Sequence, residues 1–392
     1  MADRFQFLAT CAKGTEGALR RELSALHLGA HGIRGGVSFE GPLEAGMRAC
    51  LHARTAMRVL LELARFEAPD AGALYEGARA IPWDRWLTVR TTLAVEASVS
   101  SSVITHSGFA ALKVKDAAVD ALRDKLGARP DVDAKDPDVR IVLHLAKGLA
   151  TISLDLAGEP LHRRGYRAVT TQAPLKETLA AAVLLLGGAD PELPFVDPLA
   201  GSGTLAIEHA LRARHIAPGL GRAFGFQRWP AYRGGPQSSW DRMKAEARAA
   251  ALPRAPAPIL ARDLHPKAVA AARRNAAAAG VAADVRIEQG DARDLEPRFA
   301  PGTLAANPPY GERLMGERAG SEGRPADARV QAKKLQGFYR GLGEMLLRHR
   351  GWTAVVLSGS PLLERAIPLH PEVDHRLWNG PLEVHLLKYR IP

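Results

Sequence analysis

The chain has 392 residues, enough for two or three domains, and its 46% apolar and 24% charged residues are the balance of a globular protein, not a disordered one. A formal net charge of +11 favours a polyanionic partner, although the abundance of Arg, Ala, Gly and Pro also fits a GC-biased genome. Two cysteines, Cys11 and Cys50, exclude a disulfide framework and a cysteine-based metal centre, which suits a reducing cytoplasm.

The opening "MADRFQFLAT" lacks a signal-peptide pattern, and the most apolar run, residues 178–189, is too short to span a bilayer, so no membrane association is expected. "RFQFLATCAKG" reads as a strand, and the next segment as a helix with Leu19, Leu23 and Leu26 on one face. "GGVSFEG" is a second strand, followed by a helix that runs into a strand ending near Phe66. Residues 91–100 alternate as a strand, and "GFAALKVKDAAVDALRDKLG" is an amphipathic helix with Val114, Ala118, Ala121 and Leu122 inward. "VRIVLHLAKGLATISLDLAG" is a hairpin closed by a glycine turn. Residues up to about 157 thus form one compact α+β unit or two small ones.

A polar, basic stretch leads to a strongly helical segment after Pro174. From Pro194 the pattern changes to short apolar strands ("FVD", "ILARD", "VRIEQGD", "TLAAN", "WTAVVLSGS") separated by helices and loops, and "PLEVHLLKYRI" closes the chain as a strand. This alternation predicts a doubly wound, mostly parallel sheet. Residues 319–334 read as a flexible basic loop, and 216–258 as an insertion whose aromatics (Phe224, Phe226, Trp229, Tyr232, Trp240) either contact substrate or form a local cover.

Four strand ends carry candidate chemistry. In "FVDPLAGSGTLAIEHAL" a strand stops at Asp197, and Gly201 and Gly203 let the backbone approach a ligand before a helix begins near Thr204. A carboxylate beside the glycines repels a pyrophosphate but suits a cationic ligand, and S-adenosylmethionine (SAM) carries both a sulfonium and an α-amino group. Asp263, ending "ILARD", is placed to take both ribose hydroxyls of a nucleoside, or else to cap the next helix. Asp291 in "VRIEQGDARDL" is placed to accept from an adenine amino group, with Asp294 as its rival. In "TLAANPPY" Asn307 ends a fourth strand, and its side-chain carbonyl and the Pro308 backbone carbonyl are two acceptors held stiff by Pro308 and Pro309. Acceptors on the N–H groups of an exocyclic amine turn its delocalised lone pair toward an electrophile, and Tyr310 offers a ring for a base to stack on. The thirteen histidines are scattered without metal spacing, and neither a Walker loop nor a Ser-His-Asp set is present, so no metal is expected.

D-P-x-x-G-S-G-T followed by N-P-P-Y resembles class I SAM-dependent amino-group methyltransferases. With "GFAALKVKDAAVDAL", "LDLAGEPLHRRGYR", "APLKETLAAA" and "NPPYGERL", nearly the whole chain resembles the RlmL family of bacterial 23S rRNA guanine-N2 methyltransferases, which form the first half of a fused enzyme in some bacteria. The resemblance implies an N-terminal ferredoxin-like region (1–65), a THUMP RNA-binding domain (66–157), a linker (158–173) and a Rossmann-like, seven-stranded methyltransferase domain (174–392). It implies SAM held by Asp197, Pro198, Gly201, Ser202, Gly203, Thr204, Asp263, Asp291 and Asn307, and an amine site at Asn307, Pro308, Pro309 and Tyr310. It also implies 23S rRNA or its precursor as partner. This chain has Ala200 where the family commonly has Cys, and with the sequence ending at Pro392 the second methyltransferase of the fused form is not expected. Lys113, Lys115, Arg163, Arg164, Arg167 and Lys176 are phosphate-contact candidates, each with a solvated surface charge as the competing reading. A tRNA guanine-N2 enzyme is the nearest alternative; a non-catalytic RNA-binding or assembly protein with a SAM fold is another.

Overall fold

The computed structural model describes residues 3–167, 175–233, 235–309 and 325–392, with side chains from 333 onward in the last stretch. Chain contacts divide it into two units. One comprises Met1–Cys11, Arg20–Leu161 and Arg222–Glu246; the other comprises Ala12–Leu19, His162–Gly221 and Ala247–Pro392.

The first unit is built on a seven-stranded sheet. In chain order the elements are β1 (Phe5–Thr10), α1 (Glu16–Ala25), β2 (His31–Ile33), β3 (Gly36–Gly41), α2 (Leu43–His52), β4 (Arg58–Glu67), α3 (Ala71–Arg79), β5 (Leu93–Ser100), α4 (Ser107–Leu126), β6 (Val139–Ala146) and β7 (Leu149–Asp155). The strand order is β2-β3-β1-β4-β7-β6-β5. The period of two is plain in β1, where Phe7 and Ala9 are buried and their neighbours are not. In α4 the buried residues Ala110, Val114, Ala117, Ala118 and Leu122 recur at helical spacing, and Gly127 closes the helix at φ +72°, a conformation natural to glycine. The expected ferredoxin-like and THUMP regions share this sheet, because β4 pairs antiparallel with β7. At the end of β7 the buried Asp155 accepts from the Ala157 N–H at 2.9 Å and pairs with Arg58. Burial, against the pull of Arg58, pushes its carboxyl up to about 6.

Residues 222–246 complete this unit. Phe226 and Trp229 are fully buried, and Trp229 meets Trp86 edge-on at 5.9 Å. Trp240 stands edge-on to Phe224 and Phe226 at 5.4 and 5.1 Å. Gly225 is forced by proximity: a Cβ there would lie 3.1 Å from the Gly158 Cα. The aromatics of the insertion are therefore packed inside, and the cover reading holds over substrate contact.

The second unit contains α5 (Glu177–Gly187), β8 (Phe195–Asp197), α6 (Thr204–Ala213), β9 (Ile259–Asp263), α9 (Pro266–Ala278), β10 (Val285–Gln289), β11 (Thr303–Ala306), α10 (Pro325–Arg348), β12 (Thr353–Ser358), α11 (Pro361–Ala366), β13 (Val373–Asn379) and β14 (Leu382–Arg390); between α6 and β9 the chain passes through the first unit, where α7 (Pro230–Arg233) and most of α8 (Pro236–Ala249) lie. The order β10-β9-β8-β11-β12-β14-β13 is parallel from β10 through β12 and antiparallel at β14 and β13. This is the mostly parallel sheet that the strand pattern predicts, with the seven strands that the resemblance implies. One core includes Leu179, Val183, Ile207 and Ala210; the other includes Leu304, Tyr339, Leu342 and Trp352. The short segment Ala12–Leu19 belongs here, with the Lys13 ammonium 3.6 Å from the centre of the Trp378 ring.

Two expectations need correction. Residues 325–334 are the start of α10 and not loop, because a helix of 24 residues runs from Pro325; residues 319–324 lie outside the described residues. The edge strand β13 was not anticipated: its "VDHRLWN" alternates poorly, and Leu377 is its one buried residue.

Candidate active site

The topology selects where a ligand sits. From β8 the chain proceeds through β9 to β10 on one side, then crosses so that β11 and β12 lie on the other. The gap between the carboxyl ends of β8 and β11 is the switch point at which open α/β sheets bind ligands. Asp197 ends β8 and Asn307 follows β11, so two of the four strand-end motifs flank that gap.

The loop after β8 is braced from several directions. Gly201 and Gly203 take φ +53° and +86°; space around Gly201 is open, while a Cβ on Gly203 would meet Ala272 at 3.1 Å. Gly201 thus serves backbone access and Gly203 the close packing of α6 on α9. The Asp263 carboxylate accepts from the Gly201 N–H at 2.8 Å and from the His265 N–H at 2.9 Å. It ties the end of β9 both to the loop and to His265, the N-cap residue of α9, which has no side-chain cap bond of its own. The Asn275 side chain, fully buried on α9, donates to the Ser202 carbonyl at 3.0 Å.

Asp197 and Pro198 are buried under this loop. Asp197 accepts from the Leu199 N–H at 3.2 Å. Burial, with the nearby Asp263 charge adding, pushes its carboxyl up to about 8. Among the described residues no Lys, Arg or His pairs with Asp197 or Asp263. Two acidic side chains beside an open glycine turn, with no protein cation on them among the described residues, are a set that a positively charged ligand such as SAM fits, by drawing the proton off Asp197. Asp291 is different: both its oxygens are engaged by Arg293, at 3.0 and 2.6 Å, and this contact lowers its carboxyl below the usual range. Its rival Asp294 is exposed.

The basic "HRRGYR" stretch divides by side-chain direction. Arg163 is exposed. Arg164 is 5% exposed, with its guanidinium 3.6 Å from Glu208 on α6, and the Tyr166 hydroxyl donates to the same carboxylate at 3.1 Å. Arg167 donates to Glu177 at 2.7 Å, to the Leu175 carbonyl at 2.9 Å, and to the hydroxyls of Thr204 and Ser202 at 3.1 and 3.2 Å. Arg164 and Arg167 are thus turned inward, away from the phosphate role considered for them, because buried carboxylates on α5 and α6 need partners. Ser202 and Thr204 point their hydroxyls to Arg167, leaving backbone groups for a ligand. Lys176 is exposed at the N-cap of α5; Lys113 lies 5.6 Å from the Phe109 ring centre, and Lys115 pairs with Asp116 at 2.8 Å.

At the end of β11 Pro308 is buried and Asn307 half-buried, and among the described residues no donor reaches the Asn307 Oδ1, an atom shielded from solvent. A buried carbonyl oxygen without a partner costs roughly 1–3 kcal/mol, which a ligand N–H would relieve. Tyr310 lies outside the described residues.

Residues 164–388 match the family described as RMKL-like, methyltransferase domain, more than half of the chain. The chain belongs to this family. Residues 68–155 match the THUMP domain and 6–60 the RlmL ferredoxin-like domain. A ribosomal RNA large subunit methyltransferase K/L of Syntrophotalea carbinolica is 43% identical over 98% of this chain, and one of Pseudomonas paraeruginosa is 41% identical over 100%. The chain spans about half the length of these curated relatives, 53% of each. Among solved structures, SMU.472, assigned as a methyltransferase and crystallised with S-adenosylhomocysteine (SAH), is 29% identical with a TM-score of 0.88, covering 100% of this chain and 99% of that one. Membership in a methyltransferase family agrees with the switch-point geometry. Among the described residues no helix is long and apolar enough to cross a membrane, and no cluster of His, Cys, Asp and Glu could hold a metal.

Proposed function

We propose that this chain is a SAM-dependent methyltransferase that modifies the exocyclic N2 amine of a guanine in 23S rRNA. The reading rests on the buried Asn307 Oδ1 beside the switch point, which no donor reaches among the described residues. The names of the K/L relatives support ribosomal RNA as substrate, and the THUMP match supports an RNA-docking role for the first unit.

SAM, when bound, supplies an electrophilic methyl group on a sulfonium. The glycine turn at Gly201 and Gly203 would hold it, with Asp197 balancing its positive charge and Asp263 within reach of its ribose. Asn307 Oδ1 and the Pro308 carbonyl accept the two N–H groups of the target amine and set the direction of its lone pair. The amine enters as a neutral nucleophile, and the proton it sheds after transfer goes to solvent. The guanine reaches this turn unstacked from its helix, at a cost of a few kcal/mol. Exposed cations such as Arg163 and Lys176 are the proposed phosphate contacts at the entrance.

Methylation of 23S rRNA from a strain lacking the enzyme, with radiolabelled SAM and mass analysis of the nucleosides, tests this. N2-methylguanosine at one site is the expected product. Label on adenine N6, or on tRNA alone, would overturn the assignment.

A further inference from the structure

Neither proline of the Asn307–Pro308–Pro309 turn has a backbone N–H, so the turn cannot be pinned through donors of its own at those positions. Proline fixes φ but leaves ψ open, and ψ sets where a carbonyl points. At Pro309 this open angle is restrained from outside: the Tyr339 hydroxyl donates to the Pro309 carbonyl at 2.6 Å, from thirty residues further along the chain. Tyr339 is fully buried on α10, in the cluster that contains Leu304 and Ala306 of β11. The strand leading into the turn and the group holding its far end therefore share one packed core. Burial pushes the phenol up to about 12, with Ser360 at the N-cap of α11 acting the other way, so the hydroxyl remains a donor throughout the neutral range.

We propose that Tyr339 is a positioning residue for methyl transfer: its hydroxyl clamps the turn so that Asn307 Oδ1 and the Pro308 carbonyl keep their spacing on the target amine. This rests on the reading of the turn as the amine site. The role assigned to the residue needs no contact with cofactor or substrate. Its effect passes through one backbone carbonyl.

Tyr339→Phe keeps the buried ring and removes only the donor. The clamp predicts that kcat falls about tenfold to a hundredfold, the scale of a misplacement near 1 Å. The Kd for SAM by calorimetry, the Kd for rRNA and the thermal midpoint stay at their wild-type values. Hydrogen exchange of the peptide covering residues 303–309 becomes faster, and this is read whether or not turnover is seen. Unchanged kcat and unchanged exchange would overturn the proposal. A joint loss of turnover, SAM affinity and melting temperature would also overturn it, by making Tyr339 a general core residue. Asn307→Ala in the same assays separates the two ideas. If wild type transfers no methyl to guanine, the functional reading fails, and the exchange of Tyr339→Phe alone then decides whether the clamp exists.

Discussion

Gly201 gives its backbone N–H to the Asp263 carboxylate at 2.8 Å across 62 residues of sequence. The second strand end thereby holds the loop of the first. In the proposed site Asp263 has two duties, keeping the glycine turn in shape and meeting a ribose. Asp263→Ala should raise the Kd for SAM at least tenfold, since a hydrogen bond to a charged group contributes roughly 1.5–3 kcal/mol. Its affinity for RNA should stay unchanged. Calorimetry with SAM and filter binding with rRNA measure the two separately.

The Asp197 carboxyl, pushed up to about 8 from an ordinary 3.8 by burial and by Asp263, holds a proton in the free protein that the unfolded chain releases earlier. Its contribution to stability is therefore present at low pH and declines as pH rises through that window. A bound cation favours the carboxylate. SAM binding should then release a proton below about pH 8 and tighten as pH rises from about 6 to 8, by at most about tenfold per unit. Calorimetry in two buffers of different protonation heat reads the released proton. Asp197→Asn should abolish the dependence.

Arg167 reaches Glu177, Ser202 and Thr204 at once, with Glu177 almost fully buried. Arg167→Ala leaves that carboxylate unpaired, at a cost of about 3–5 kcal/mol, and releases two hydroxyls of the cofactor loop. The expected signature is lower thermal stability and weaker SAM binding with RNA affinity intact. Arg163→Ala, at an exposed position, should do the reverse. Equal loss of RNA affinity in both variants would restore a phosphate role to Arg167.

A chain begun at residue 158 would leave the segment Arg222–Glu246 without Trp86 and the backbone of residues 156 and 157, on which it packs. Buried Trp229, Phe226 and Trp240 would then face water. Such a truncation should aggregate or melt well below the intact protein in a thermal scan. A soluble fragment with an unchanged midpoint would show that the segment folds without the first unit.

These relationships mark what was legible in the sequence. The strands ending at Asp197 and Asp263, and the one that stops just before Asn307, could be read because each motif is local: a short apolar run, a special turn, then a helix or a proline corner. The parallel sheet followed from their spacing. The braces could not be read, since each joins residues far apart. Tyr339 looks like one more apolar-face residue of an amphipathic helix, and Asn275 is a lone polar residue in an alanine run; no local pattern names the carbonyl that either one meets. "HRRGYR" looked uniformly basic because charge along the chain does not tell which guanidinium turns inward, and Glu208 and Glu177, which decide it, are 44 and 10 residues from their arginines. The aromatics after Phe224 looked like a substrate surface or a cover for the same reason: their partner Trp86 lies in the other half of the sequence.

Of the two roles that the resemblance implies for Asn307, at the cofactor and at the target amine, the proposed site uses the second. Asn307→Ala, assayed with radiolabelled SAM on 23S rRNA lacking the modification and by calorimetry with SAM, tests it most directly. Methyl transfer should fall about a hundredfold or more, the scale of losing one oriented polar group at a reacting centre, with the Kd for SAM unchanged. Near-wild-type turnover, or a loss explained by weaker SAM binding alone, would contradict it.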